Sequence, residues 1–378
     1  MTFKVFIIAG ESSGDVLGAS LIEALKRQQP DIEIRGVGGE KMLGAGLQTS
    51  LFPMEDLSVM GIAEILPRIP KFIGLINKTV QAIKGFNPDV VVTIDSPDFS
   101  FRVQKKLQEE GGRARRIHYV APTVWAWREG RARKIAQFLD GLICLFPFEP
   151  PYFEREGLRA ISVGHPMVTS GVLDGVGGRF RDMYGIAQDA KTIGLFCGSR
   201  GREIEMSIPI LRDVVAQLKE KYPDLVCIVP TLAKWQERLE GEFKGCGRVV
   251  VTSDPSEKYD AFRACDAAAA VSGTVALEIA LAGVPHVLFY KMSPVTWQIV
   301  KRLVKTKFAH LGNILLEKVV FPEFIQDDAT AENLAEPLNV FLSSRQGQNH
   351  VAELLDRLHF NPAQKSEDVA AQFILSHP

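Results

Sequence analysis

Asp89-Val90-Val91-Val92-Thr93-Ile94-Asp95-Ser96-Pro97-Asp98-Phe99-Ser100 begins as an unbroken β-branched run and stops at two carboxylates and a proline. Such a run suits a strand covered on both faces, as in a parallel sheet. Pro97 has no amide to give to a ladder, so the chain turns there. Asp95 and Asp98 then stand at the carboxyl end of a central strand, the edge where open α/β sheets bind ligands. Asp95 reads as the residue that ends the strand. Asp98 fits two roles equally: a cap for a helix starting near Phe99, or a base that takes a proton from a substrate hydroxyl.

Working outward from this edge, Phe3 to Ala9 reads as a first strand. Gly10-Glu11-Ser12-Ser13-Gly14-Asp15 follows as a glycine loop, and then a helix to about Arg27. This opening belongs to a doubly wound fold. The loop lacks the G-x-G-x-x-G spacing of a dinucleotide fingerprint. Its glycines still permit close approach of a ligand, and Glu11 adds a carboxylate at the same edge. Arg115 to Val120 reads as a strand ending at Trp125 and Trp127, large aromatics of the kind that line sites. The segment Leu57 to Ile76, rich in Met, Ile, Leu and Phe and broken by Pro67 and Pro70, fits either core helices or a wall for a lipid chain.

Composition sets the bounds. A length of 378 residues favours two domains, and 46% hydrophobic with 24% charged residues is ordinary for a globular protein. A net charge of −1 gives no sign of nucleic-acid binding. The five cysteines form no C-x-x-C and read as reduced core residues of a cytosolic protein; no His/Cys pair has ligand spacing, so no metal is expected. The apolar N-terminus breaks at Gly10-Glu11, so it reads as a strand and not a signal peptide. No apolar run is long enough to span a bilayer.

The second half repeats the strand–loop–helix plan without repeating the sequence. Gly198-Ser199-Arg200-Gly201 follows one strand and opens a helix to Lys221; its amides and Arg200 suit a diphosphate. Ser272-Gly273-Thr274-Val275-Ala276-Leu277-Glu278 follows another strand. Ser272 and Thr274 are placed to cap a helix or bond a phosphate, and Glu278 to accept ribose hydroxyls. A Walker lysine motif is missing, which disfavours ATP hydrolysis. An activated-sugar donor fits better, since arginine and amide dipoles can stabilise a departing nucleoside diphosphate. The expected architecture is α/β, two Rossmann-like doubly wound domains facing across a cleft. The expected divisions are 1–167, 168–337 and a helical tail 338–378 that packs on the first domain or on a partner chain.

Together these motifs resemble the lipid-A-disaccharide synthase family, bacterial glycosyltransferases of the two-Rossmann (GT-B) type. The resemblance rests on 9–15, Val59-Met60-Gly61, 94–99, 118–128, Leu145-Phe146-Pro147-Phe148-Glu149, 198–200 and 272–278. It implies transfer of 2,3-diacylglucosamine from UDP-2,3-diacylglucosamine to the 6-hydroxyl of 2,3-diacylglucosamine 1-phosphate, giving lipid A disaccharide 1-phosphate and UDP with inversion and without a metal or other cofactor. It implies Asp98 as general base and Glu11 as a second activity-linked carboxylate. Gly198, Ser199, Arg200, Ser272, Gly273, Thr274, Glu278 and Asn313 would bind the donor. Ser13, Gly14, Met60, Trp125, Trp127, Trp297 and Arg302 would face the acceptor or lipid, the last two on a segment 297–308 with cations between apolar residues at helical spacing. The implied location is cytoplasmic, peripheral on the inner face of the inner membrane, and the resemblance is compatible with a homodimer. Two other readings remain at this point: a non-hydrolysing UDP-sugar epimerase, and a lipid- or nucleotide-sugar-binding protein without chemistry.

Overall fold

The structure, a computed structural model, describes residues 2–57, 69–125, 130–304, 306–344, 350–358, 361 and 363–376. The chain divides into two compact units, Met1–Pro166 with Asn361–Pro378, and Met167–Phe360. Each is built on a six-stranded, wholly parallel sheet.

In the first unit the elements run β1 (Lys4–Ala9), α1 (Ser12–Gln28), β2 (Glu33–Val37), α2 (Glu40–Gly44), α3 (Ile69–Phe86), β3 (Val90–Ile94), α4 (Pro97–Glu109), β4 (Arg115–Tyr119), α5 (Arg131–Ala136), β5 (Gly141–Cys144), α6 (Pro150–Glu154) and β6 (Ala160–Ser162). The strand order is β2-β1-β3-β4-β5-β6. Every residue of β3 is buried, as a strand covered on both faces requires. Alternation along the strands sends Phe6, Ile8 and Val91 to one face, where α3 and α4 supply Leu75, Val80, Phe99 and Val103. Ala9 and Ile94 turn to the other face, where they meet Gly14 of α1.

The second unit runs α7 (Gly177–Met183), β7 (Thr192–Phe196), α8 (Gly201–Lys221), β8 (Val226–Pro230), α9 (Gln236–Glu242), β9 (Val249–Thr252), α10 (Lys258–Arg263), β10 (Ala267–Val271), α11 (Thr274–Leu281), β11 (His286–Tyr290), α12 (Pro294–Leu303), α13 (Leu311–Leu316), β12 (Glu323–Ile325), α14 (Ala331–Ser344) and α15 (Val351–Arg357). Its order is β12-β11-β10-β7-β8-β9. Helices α8, α9 and α14 cover one face through Ile204, Leu211, Leu239 and Leu338, and α11 packs with α13 and α15.

The chain then returns to the first unit as α16 (Ser366–Leu375), which lies along α1. Arg27 pairs with Asp368 at 2.6 Å, and Arg115 donates to the Ile374 and Ser376 carbonyls. The stretch 338–378 is therefore not one body: α14 and α15 belong to the second unit, α16 to the first.

Of the sequence 57–76, Leu57 and the residues from Ile69 onward are described, and there its core-helix reading holds. Phe72, Leu75 and Ile76 pack inward, Phe72 with its ring 5.5 Å from that of Phe99. Ile73 is left exposed.

Candidate active site

In both units the strand order reverses next to the first strand, and a crevice opens where successive loops leave the sheet to opposite sides. In the first unit this point lies between β1 and β3. It is flanked by the β1–α1 junction, with Glu11 before the helix and Ser13 in its first turn, and by the turn Asp95–Asp98. In the second it lies between β7 and β10, flanked by Gly198–Arg200 and Ser272–Thr274.

The β3 turn is held in a costly conformation. Asp95 (φ 53°) and Ser96 (φ 44°) are both left-handed, and Val120 at the end of the neighbouring β4 has φ 78°. Each costs an L residue about 1–2 kcal/mol, and such outliers cluster at functional edges. Asp95 holds the turn: one carboxylate oxygen accepts from the Ser96 amide at 2.8 Å, the other from the Ser13 hydroxyl at 3.3 Å. The Ser96 hydroxyl donates to Glu11 at 3.4 Å. The two flanking loops are thus stitched together across the crevice. Pro97 is the first residue of α4, with Ser96 as its uncapped N-cap residue, so the helix begins earlier than Phe99 and Asp98 does not cap it. Asp98 projects from the first turn, exposed, and among the described residues its carboxylate has no hydrogen-bond or ion-pair partner. Gly14 is buried, and a side chain there would meet the Ile94 carbonyl at 3.3 Å and Ala9 at 3.5 Å, so it serves close helix–sheet packing. Buried Asp15 accepts from the amides of Gly39, Lys41 and Met42, fixing the start of α2.

Beside this crevice an aromatic group fills the edge above β4 and β5. Trp125 is half-buried, edge-on to Phe148 at 5.3 Å; Phe148 stacks on Phe146 at 5.5 Å, and Phe146 meets His165 at 5.3 Å. Buried Glu149 ties them, accepting from the Trp125 indole at 3.2 Å and from the Leu145 and Phe146 amides at 3.1 and 3.0 Å. Burial pushes the Glu149 carboxyl up to about 7, against the opposing pull of these three donors. Met60, Trp127 and the lipid-wall residues 58–68 lie outside the described residues.

In the second unit the Gly198 loop differs from the sequence expectation. Glu203, three residues into the turn, accepts from the Ser199 and Arg200 amides at 3.0 and 3.2 Å. Those two donors are satisfied internally, and the Arg200 guanidinium is the loop's exposed cationic group. It pairs with Glu203 at 2.9 Å while itself 74% exposed, the glutamate beneath it being largely buried. Gly198 has φ 99°, and a Cβ there would stand 2.7 Å from that of Glu203. Trp235 braces the loop from outside, its indole donating to the Ser199 carbonyl at 3.0 Å.

At the second loop neither Ser272 nor Thr274 caps α11. Gly273 is the N-cap residue, with no side-chain cap, and Ser272 reaches the Ala309 carbonyl at 3.5 Å. Gly273 is exposed, with open space where a side chain would be. Glu278 is half-buried, one oxygen shared by Lys258 (2.6 Å) and the Tyr259 hydroxyl (2.9 Å); Tyr259 also bonds Ser170 at 2.6 Å.

Asn313 is fully buried and fully engaged from within. Its oxygen accepts from the Val320 and Phe321 amides, and its nitrogen donates to the Phe321 carbonyl and to Glu323, all within 2.7–2.9 Å. It clamps the turn into β12. Glu323 also takes the Ala309 and His310 amides. Beneath lies a histidine relay: Gly312 N–H to His310 Nδ1 (2.8 Å), His310 Nε2 to His286 Nε2 (2.7 Å), and His286 Nδ1 to the Val284 carbonyl (2.8 Å). Only two neutral rings satisfy this chain, and burial holds His286 down to about 4 and His310 well below its usual range. Trp297 is half-buried and Arg302 exposed on α12, which ends at Leu303, short of Phe308. Among the described residues no group of three or more His, Cys, Asp or Glu side chains is arranged to hold a metal.

Sequence reasoning did not give roles to Glu149, Glu203, Trp235, Lys258 or Tyr259. Only Glu203 had a local signal, a glutamate at the third position of a helix opening.

Solved structures first define the class. The chain aligns with MurG from Acinetobacter baumannii at a TM-score of 0.58 and 15% identity over 98% of this chain and 99% of that one. A putative UDP-N-acetylglucosamine 2-epimerase from Listeria monocytogenes gives 0.62 and 16% over 99% and 95%. At such identities the likeness shows the two-domain α/β fold alone, and it does not separate transferase from epimerase. Sequence makes that separation. The family model described as Lipid-A-disaccharide synthetase matches residues 5–374. The lipid-A-disaccharide synthase of Rhodospirillum centenum is 44% identical over 98% of this chain and 94% of its own, and that of Pseudomonas aeruginosa 37% over 98% and 97%. The chain belongs to the lipid-A-disaccharide synthetase family, glycosyltransferases of lipid A biosynthesis.

Proposed function

We propose that the protein transfers 2,3-diacylglucosamine from UDP-2,3-diacylglucosamine to the 6-hydroxyl of 2,3-diacylglucosamine 1-phosphate. The observation that carries the site assignment is Asp98, unpaired among the described residues and exposed at the β3 edge, with Glu11 and Ser13 across the same crevice. The first unit takes the acceptor. Asp98 accepts the proton of the 6-hydroxyl as its oxygen forms the bond to the anomeric carbon of the donor; the bond from that carbon to the diphosphate breaks, and UDP leaves from the opposite face, which inverts the centre. A positioned base contributes about 10²–10⁴-fold in rate. Glu11 is the second carboxylate of this edge.

The second unit takes the donor. Gly273 leaves its backbone open to a phosphate, and the first amides of α11 have no partner within the helix. Arg200 releases Glu203 to meet the diphosphate, and its charge offsets the negative charge that develops there. Glu278, oriented by Lys258 and Tyr259, accepts the ribose hydroxyls. Asn313 acts here as the clamp that keeps Ala309, and so Ser272, in place. Charge stabilisation comes from these groups, and the reading calls on no metal or resident cofactor.

No described helix is long and apolar enough to cross a membrane. With acylated substrates, Trp297 and Arg302 on α12 and Trp125 beside the acceptor edge fit contact with lipid from the side, at the cytoplasmic face of the inner membrane; a homodimer fits the family. UDP release measured with the lipid donor, with and without acceptor, tests the proposal. Release that needs the acceptor supports it. Epimerisation of the donor sugar, or no release in the presence of both, overturns it.

A further inference from the structure

We infer that Glu149 is a positioning residue for the acceptor, acting by holding the Trp125 indole at the edge of the first unit's crevice. The inference rests on the proposed acceptor site. Glu149 lies on the loop after β5, yet its carboxylate reaches the loop after β4, so one side chain couples the ends of two neighbouring strands, the nearer of them adjacent to β3. It is 2% exposed and faces three donors: the Leu145 and Phe146 amides on Oε2, and the Trp125 indole on Oε1. Only an ionised carboxylate accepts fully on both atoms. A glutamine in the same place would keep the amide pair on its oxygen and turn N–H against the indole N–H. A carboxylate buried this deeply is costly to maintain, and stitching the 145–149 loop alone needs no more than the oxygen that serves the two amides. The second oxygen is occupied by Trp125 alone.

Trp125 is in turn the half-buried end of the aromatic row Trp125–Phe148–Phe146–His165, so its ring plane is set by packing on one side and by Glu149 on the other. The ring faces the acceptor's sugar or acyl stem, and Glu149 fixes its height above the β4 edge. The effect is on binding of the acceptor and not on the proton transfer.

The test uses the full chain and the UDP-release assay with 2,3-diacylglucosamine 1-phosphate in mixed micelles. Glu149→Gln breaks the indole bond while preserving shape; Trp125→Phe removes the same bond while leaving Glu149 intact, and guards against a folding defect in the first variant. Each raises the acceptor KM about tenfold, the loss of one hydrogen bond to a charged group. The donor KM stays at the wild-type value and kcat within a few-fold. The double variant is no worse than either single. An unchanged acceptor KM in Trp125→Phe, effects that multiply in the double variant, or a matching rise in donor KM would overturn the positioning role while wild-type turnover leaves the functional proposal standing. A wild-type protein that releases no UDP with acceptor present overturns both.

Discussion

Gly10→Ala places a methyl group against the turn that presents Asp98. Its Cβ would stand 2.7 Å from the Ser96 Cβ and closer still to the Ser96 hydroxyl, whereas ordinary carbon contact is about 3.5–4.0 Å. The nearest atom of Leu57 is at 3.6 Å, ordinary contact, so the clash is with Ser96 alone. Ser96 must move by about 1 Å, and it cannot do so freely: its φ is 44°, its amide is bound by Asp95 and Pro97 follows it. The displacement passes to Asp98 two residues on. A misplacement of ~1 Å costs on the order of 10²-fold in rate, or about 2.7 kcal/mol of barrier. The Gly10→Ala/Ser96→Gly double variant removes the clashing atoms and relieves a left-handed non-glycine worth about 1 kcal/mol. It loses only the 3.4 Å bond to Glu11. The UDP-release assay should therefore show Gly10→Ala down roughly 10²-fold in kcat and the double variant recovered to within about tenfold of wild type. Full activity in Gly10→Ala, or a double variant no better than the single, would refute the coupling between the two loops.

Two further outcomes concern stability. Asn313→Ala strips four hydrogen bonds from a fully buried position and should destabilise by about 3–5 kcal/mol in urea unfolding, in the range of a broken buried network. The His286–His310 relay sets a pH dependence. The folded pKa of His286 lies near 4, below the ordinary 6.5 of the unfolded chain, so between those values the unfolded state binds the extra proton. Stability is then full above about 6.5 and falls as the pH drops towards 4, by at most about 1.4 kcal/mol per pH unit for each such histidine. Thermal melts from pH 7 to 4.5 should show this slope, and it should shrink in His286→Asn.

The fold was legible because its strongest signals are local. The β-branched run at 90–94 suits a doubly covered strand and is one, and the glycine-containing turns that open at Gly10, Gly198 and Gly273 each sit at a strand end, where the observed strand orders place both switch points. The reading of Asp95 as a structural residue at the strand end agrees with its place, since its carboxylate is spent on its own turn. What stayed hidden depends on strands brought together from afar. Trp125 and Glu149 meet only because β4 and β5 are neighbours. Asn313 reads as a free polar residue until the 320–323 turn folds onto it. Capping by Ser272 and Thr274 was a fair expectation from residue type, but the extended backbone of Gly273 (φ 161°) takes the N-cap position instead. The amides of Ser199 and Arg200 looked available until Glu203 curled back onto them.

The central claim is that an unencumbered carboxylate at the β3 edge removes the acceptor's proton. Asp98→Asn keeps the volume and the helix start while abolishing basicity, so single-turnover UDP release, run beside a donor-binding titration, measures the claim directly. The account predicts a fall of about 10²–10⁴-fold in the rate with donor affinity unchanged. Turnover near the wild-type rate in Asp98→Asn would contradict it and move the base to another group.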